Sequence, residues 1–270
     1  MIQKSMENKQ FKQLENDGYF VLKNSVSNKI INTIQKSINS NLLNLIKKDN
    51  KKSLVQNFEL CLKKFNQHYI QKYLATKLFN ENHIHKLLSE KKVLKYLVEL
   101  LGPDLEYLSN SELAINVSGV KDKYFVKKYH QEVWSGVSPS SILIWLPIYL
   151  KKGMGTIQVI DGSHKWGLVP NMNREPTMLP QFYKEKIVNI ESGSILIMSP
   201  FTLHRTIPNT HKEPRFAMPI TIRNFYYPQG GNEDLWEFRK LHESTYSKLR
   251  KKLGNKLFTP FRTIDLNKSK

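Results

Sequence analysis

The stretch YHQEVWSG, residues 129–136, sets His130 and Glu132 at positions i and i+2. On a regular strand both side chains project to one face. A histidine and a carboxylate on one face supply two ligands of a metal; the plainer alternative is a strand with one polar face. A third ligand has to come from a distant strand. SPFTLHRTIPN provides His204 just after the apolar run SILIMSP. Two histidines and one carboxylate leave three positions of an octahedral iron open, for a cosubstrate and for dioxygen. Farther on, Arg215 opens the strand-like run RFAMPITIR. A guanidinium projecting into the same cavity grips a carboxylate through its two-pronged fork. Taken singly, each residue has an ordinary reading: a chance His-x-Glu pair, a loop histidine, a strand arginine. Their order along the chain joins them.

Such residues need elements to hold them. Residues 11–24 read as a short helix, a turn at Asp17-Gly18 and a strand. Ile30, Ile31, Ile34, Ile38, Leu42 and Leu45 then recur near helical spacing, with Ser27 placed as an N-cap. Residues 54–79 continue in helical character, and 83–101 form an amphipathic pattern ended by Gly102-Pro103. After Pro103, β-branched and aromatic runs alternate with turn signals: LEYLSNSELAINV, KYFVKKYHQEVW, SSILIWLPIYL, GTIQVI, SILIMSP and RFAMPITIRNF. Many short strands without intervening helices predict an antiparallel sandwich or barrel. The polar, proline-containing segment 167–183 interrupts them as a long loop over one end, and the stretch WGLVPNMNREPTMLPQFYKE is placed to act as a lid that selects the substrate. EDLWEFRKLHESTYSKLRKKLG returns to helical spacing. The expectation is a single domain over 1–270: a mostly helical part at 1–103, a β core at 104–228 and a helical tail at 229–270.

Hydrophobic residues make up 40% of the 270, and 13 Phe, 12 Tyr and 4 Trp supply bulk for a sizeable core. Cys61, the one cysteine, has no internal partner, which points to a reducing compartment, excludes a cysteine metal site and suits a small buried hydrophobe. No apolar run approaches the ~20 residues that span a bilayer, and the first residues lack a signal-peptide apolar region. The expectation is a cytoplasmic protein with no membrane partner. The net charge of +19 raises the question of nucleic acid or another polyanion. The lysines fall in scattered pairs, such as Lys47-Lys48 and Lys91-Lys92, which suits solvated faces better than one binding stripe. His83 and His85, two apart in a helical stretch, face different sides, and His68 and His242 sit in helical stretches without ligand partners.

YHQEVW, SSILIWLPI, GTIQVIDGSHKWG, GSILIMSPFTLHRT and PRFAMPITIR, taken in order, resemble the phytanoyl-CoA dioxygenase family of non-haem iron, 2-oxoglutarate-dependent oxygenases. The opening FKQLENDGYFVLKNSVSNKIINTI is similar to that family's N-terminus, so the resemblance runs from about residue 11 to about 225. It implies a mainly β fold with flanking α-helices and a double-stranded β-helix (jelly-roll, cupin-like) core. It implies Fe(II), 2-oxoglutarate and O2 as cofactors, with His130, Glu132 and His204 as metal ligands and Arg215 as the 2-oxoglutarate anchor. Trp145 matches an aromatic bordering the cosubstrate, and Thr206 a hydroxyl near its distal carboxylate. Gly162-Ser163-His164 matches a family turn that shapes the site, with His164 not a ligand. The family most often has Asp where this chain has Glu132, which offers the same oxygen on a longer arm. A filled position also argues for hydroxylation over halogenation, since a halide needs that position vacant. Val133 and Trp134 are expected to keep water from the metal. The implied reaction is hydroxylation of an aliphatic C–H of a small molecule with release of succinate and CO2. Two other readings stay open: a jelly-roll module that binds metal or ligand without redox chemistry, and a related oxygenase acting on nucleic acid. Lys127, Lys128 and Arg205 flank the proposed ligands and suit an anionic substrate group, or else a solvated strand edge.

Overall fold

The computed structural model describes residues 2–47, 52–120, 122–227 and 237–253. Helix α1 (Ile2–Asp17) stops at Gly18 and leads into strand β1 (Tyr19–Leu22). Helix α2 (Asn28–Ile46) buries Ile31, Ile34, Ile38 and Leu42, the stripe expected from three- and four-residue spacing. The helical run expected at 54–79 divides into α3 (Leu54–Leu62) and α4 (Gln67–Asn80). Ser53 starts α3 with a capping box to Gln56, and the Asn66 side chain accepts from the Tyr69 amide to start α4. The amphipathic run 83–101 also divides, into α5 (His83–Leu88) and α6 (Lys91–Leu101). Among the described residues, no helix is long and apolar enough to cross a membrane.

The β region forms a jelly-roll of two sheets with flanking helices. The larger sheet runs β1–β9–β4–β11–β2–β12, with β3 also on β11, where β2 is Leu105–Leu108, β3 Ala114–Asn116, β4 Ile142–Tyr149, β9 Ile195–Met198, β11 Arg215–Asn224 and β12 Phe238–His242. The smaller sheet runs β10–β5–β8, from His204–Thr206, Ile157–Ile160 and Glu185–Ile187. Every pairing is antiparallel. Alternation along the strands explains the layers. On β4, Ile142, Ile144, Leu146 and Ile148 pack toward the helical core, whereas Leu143 and Trp145 face the space between the sheets. On β9, Ile195 and Ile197 take the first side and Leu196 and Met198 the second. Both faces are covered, so these strands read as continuous apolar runs.

The tail departs from its helical expectation. Residues 238–242 form β12 and pair with β2, Phe238 opposite Leu108, and among the described residues of the tail only Thr245–Lys252 are helical (α7). The exposed edge of β2 offers main-chain hydrogen bonds that outweigh a weak helical pattern. Residues 228–236 and 254–270 of that tail lie outside the described residues. Cys61 is buried, its thiol 3.4 Å from the Leu42 carbonyl oxygen, and burial pushes its pKa up to about 11, consistent with a packing role.

Arg223 of β11 lies directly opposite Glu106 of β2 and donates to its Oε1 from Nε at 2.8 Å. The side chains are 3% and 7% exposed, and the Phe238 ring covers the guanidinium at 3.6 Å. Leaving one member of such a pair alone strands a charge in a low-dielectric place. Glu106→Leu is therefore expected to lower stability in urea denaturation by about 3–5 kcal/mol, with Glu106→Leu/Arg223→Met recovering most of the loss.

Candidate metal and cosubstrate site

His130 and His204 meet through a two-residue antiparallel bridge. The His130 amide donates to the His204 carbonyl at 3.0 Å, and the His204 amide returns the bond at 3.1 Å. That reciprocal pair sets the imidazoles side by side, with centroids 4.2 Å apart and planes inclined at 48°. His204 is the first residue of β10, opposite Val159 of β5, not a loop residue. Glu132 does not continue a strand as expected; it begins a 3-10 turn over Glu132–Ser135, its amide bonded to the Pro200 carbonyl at 3.0 Å. The longer glutamate arm reaches back from that turn, and Oε1 lies 3.3 Å from His130 Nε2 and 3.6 Å from His204 Nε2. The three ligand atoms lie within 4.8 Å of one another.

The ring orientations are fixed from behind. His130 Nδ1 sits 2.8 Å from the Lys128 carbonyl oxygen and His204 Nδ1 2.9 Å from that of Thr202. A carbonyl only accepts, so each Nδ1 carries its proton and each Nε2 lone pair faces inward. Burial, then the neighbouring His204, pushes the His130 pKa down, so this ring is neutral at pH 7. Burial alone would raise the Glu132 pKa; the polar surroundings, the charge of Lys127 among them, outweigh it and hold the carboxyl well below its usual range. Two imidazole lone pairs and a carboxylate thus point at one spot, an arrangement that repels itself until a cation sits among the three. The donor set of two nitrogens and one oxygen fits Fe(II). Gln131, between the ligands in sequence, is buried facing the other way. It donates to the Gly167 and Phe201 carbonyls at 2.9 and 2.6 Å and accepts from the Val169 amide at 3.0 Å. It thereby ties the metal segment to the loop at 167–183.

The triad opens on a cavity of about 370 Å³ between the sheets, which Arg215, Trp145 and Thr206 also line. Arg215 is 1% exposed. It donates from Nη1 to the Gly155 carbonyl at 2.9 Å, its guanidinium lies 5.0 Å from the Trp145 ring centre, and its buried Nε has no hydrogen-bond partner. Burial brings its pKa down to about 9. A desolvated guanidinium with an unanswered donor fits the distal carboxylate of 2-oxoglutarate. Thr206 shares its strand face with His204, two residues away, while Arg205 points outward to Gln158 and Glu185 and covers the Tyr129 ring.

Other expected contributors sit elsewhere. Trp134 does not wall the metal: its indole donates to the Val169 carbonyl and packs in a separate cluster with Tyr129 and Trp166. The dry wall is made by Val137, Leu143, Trp145, Ile157 and Met198. His164 turns toward α1, donating to the Glu15 carbonyl at 3.0 Å, away from the triad. A Cβ on Gly18 would lie 2.5 Å from its Nδ1, so glycine is required where α1 turns into β1. His83 pairs with Glu81, His85 rests against Tyr107, and His242 is in β12 rather than a helix. Three residues that touch or support the cavity have no obvious sequence signal. Gly155 follows the turn-like KKGM run, Gln131 looks like filler between ligands, and Arg174 stands where a hairpin turn would ordinarily have glycine.

The sequence pattern of the family described as "Phytanoyl-CoA dioxygenase (PhyH)" matches residues 14–217. No curated protein matches the chain. Among solved structures, the chain is similar to the apo form of the non-heme monooxygenase ThoJ, at 16% identity over 86% of this chain and 83% of that one, TM-score 0.62. It is also similar to the epimerase SnoN in complex with Fe3+, alpha ketoglutarate and nogalamycin RO, at 15% identity over 82% and 84%, TM-score 0.53. AviO1 from Streptomyces viridochromogenes Tue57 matches at 12% identity over 83% and 98%, TM-score 0.55. At these identities the likenesses show a shared jelly-roll fold. With most of its length matched by the family pattern, the chain belongs to the phytanoyl-CoA dioxygenase family, enzymes that use non-haem Fe(II), 2-oxoglutarate and dioxygen.

Proposed function

We propose that the chain hydroxylates an aliphatic C–H bond of a small organic substrate, with Fe(II) on His130, Glu132 and His204 and 2-oxoglutarate anchored at Arg215. The observation that carries this reading is one cavity onto which three convergent ligand atoms and a buried, half-answered guanidinium both open. When bound, iron and 2-oxoglutarate together activate dioxygen and leave succinate and carbon dioxide as co-products.

The chain's own residues supply position and dryness. The Lys128 and Thr202 carbonyls hold both Nε2 lone pairs inward. Glu132 fills the carboxylate position, which leaves no vacancy for a halide and favours hydroxylation. Leu143, Ile157 and Met198 keep water from the reacting centre. The Gly155 carbonyl steers Arg215, and the Thr206 hydroxyl lines the same cavity. Gly155 takes φ +68°, and a Cβ there would lie 2.3 Å from the Ile207 carbonyl oxygen.

Under anaerobic conditions, Fe(II) and 2-oxoglutarate added together should give a visible charge-transfer band that neither gives alone. His204→Ala should abolish it, and Arg215→Ala should raise the 2-oxoglutarate needed for half-development by about tenfold or more. A folded protein without the band overturns the proposal. Gly155→Ala should lose about 2 kcal/mol or more in urea denaturation. Because it displaces the Arg215 acceptor, it should also shift the 2-oxoglutarate titration in the direction of Arg215→Ala.

A further inference from the structure

The cavity mouth is basic in a way that the metal and 2-oxoglutarate do not use. Lys127 and Arg174 both line it, and neither forms an ion pair among the described residues, although the Lys127 charge also reaches Glu132. The cations around them are already engaged: Lys123 and Lys128 with Glu175, and Arg205 with Gln158 and Glu185. The acidic groups on the cavity are Glu112 and Glu132. Glu112 is taken up by the Tyr124 hydroxyl and by His68 at 3.5 Å, and Glu132 belongs to the triad. Lys127 and Arg174 remain as two cations facing one opening.

Arg174 is held there against its backbone preference. It closes a two-residue turn between β6 (Asn171–Met172) and β7 (Glu175–Pro176), with Asn173 at φ 54° and Arg174 at φ 60°. Two positive φ values make the turn type I′, whose second position ordinarily goes to glycine. An arginine in the left-handed region is strained, and such strain persists where the surroundings fix it and collects at ligand clamps. Here the surroundings are the ion pairs of Glu175, 3.2 Å from Lys123 and 2.6 Å from Lys128. Those two lysines bracket Lys127 in the chain. The hairpin is therefore tied to the segment that carries the second cation, and both charges are set at the same mouth. Below it lie apolar walls, including Phe125, Val137, Leu143 and Met198.

We propose that Lys127 and Arg174 clamp the anionic head, a carboxylate or phosphate, of an amphipathic substrate whose apolar body enters the cavity toward the triad. This rests on the triad being the reaction centre; the binding itself needs neither iron nor 2-oxoglutarate.

Octanoate and its neutral analogue octanamide are suitable probes, titrated calorimetrically into the full chain without added metal. Octanoate is expected to bind about tenfold tighter or more, the effect of a charge-assisted hydrogen bond. The preference should weaken as NaCl screens the exposed mouth, and it should shrink to about threefold or less in both Lys127→Gln and Arg174→Gly. Arg174→Gly should melt at the same temperature as the parent or higher, since glycine suits φ 60°; a merely structural arginine would instead lower it. Equal binding, no octanoate binding, a preference that survives in either variant, or one lost only in Arg215→Ala overturns the clamp. The charge-transfer band is read separately, so failure of the clamp and failure of the iron site are distinguishable.

Discussion

The site depends on two main-chain hydrogen bonds, exchanged between His130 and His204. Bonds from the Thr206 amide to the Lys127 carbonyl and from the Glu132 amide to the Pro200 carbonyl continue the same pairing on either side. A reciprocal antiparallel pair fixes both Cα positions and the directions of both side chains at once. The Lys128 and Thr202 carbonyls then settle which ring nitrogen faces the metal. Each constraint is a backbone group, so the geometry does not rely on a flexible side chain. Gln131 adds a side-chain anchor, and it too acts on loop backbone. The jelly-roll supplies what the bridge requires: β10 held against β5, and the segment from Lys127 to Glu132 held against β10.

Two arginines are buried at the ends of β11, and their surroundings contrast. Arg223 faces Glu106 directly across the sheet and is answered within the protein. Arg215 is as deeply buried, but it has one carbonyl acceptor, an aromatic ring and a bare Nε. Burying a cation with so little compensation lowers stability unless a ligand completes it. A fold indifferent to anions would gain by replacing Arg215 with an apolar side chain. That charge opens on the same cavity as His130, Glu132 and His204, where an anion would answer it, and its depressed pKa records the same desolvation.

Residue type and order singled out His130, Glu132, His204 and Arg215 as candidates, and the fold brings all four to one cavity. Continuous apolar runs likewise made β4, β9 and β11 legible. What escaped was set by tertiary contact. The i, i+2 rule put His130 and Glu132 on one face for the wrong reason, since Glu132 starts a turn and its extra methylene restores the reach. Trp134 beside the ligands suggested a dry wall, but its indole found a loop carbonyl instead. Residues 238–242 carried a helical pattern that an unpaired sheet edge overrode. Gly155 matters through its carbonyl and its φ, neither of which a letter in a sequence displays.

The +19 charge illustrates the same limit from the electrostatic side. A total says little about partners when most cations are solvated or paired locally, as Lys151 is with Glu213 and Lys128 with Glu175. Surface pairs of this kind contribute little stability, yet each removes one positive charge from the local field. Near the cavity that subtraction is selective. Glu175 answers the lysines on either side of Lys127, and Glu185 lies against the outward-pointing Arg205. The field that survives points into the opening, where low-dielectric walls strengthen it and a general positive background steers anions toward it. The placement of the acids, more than the abundance of lysine, sets the charge at this cavity.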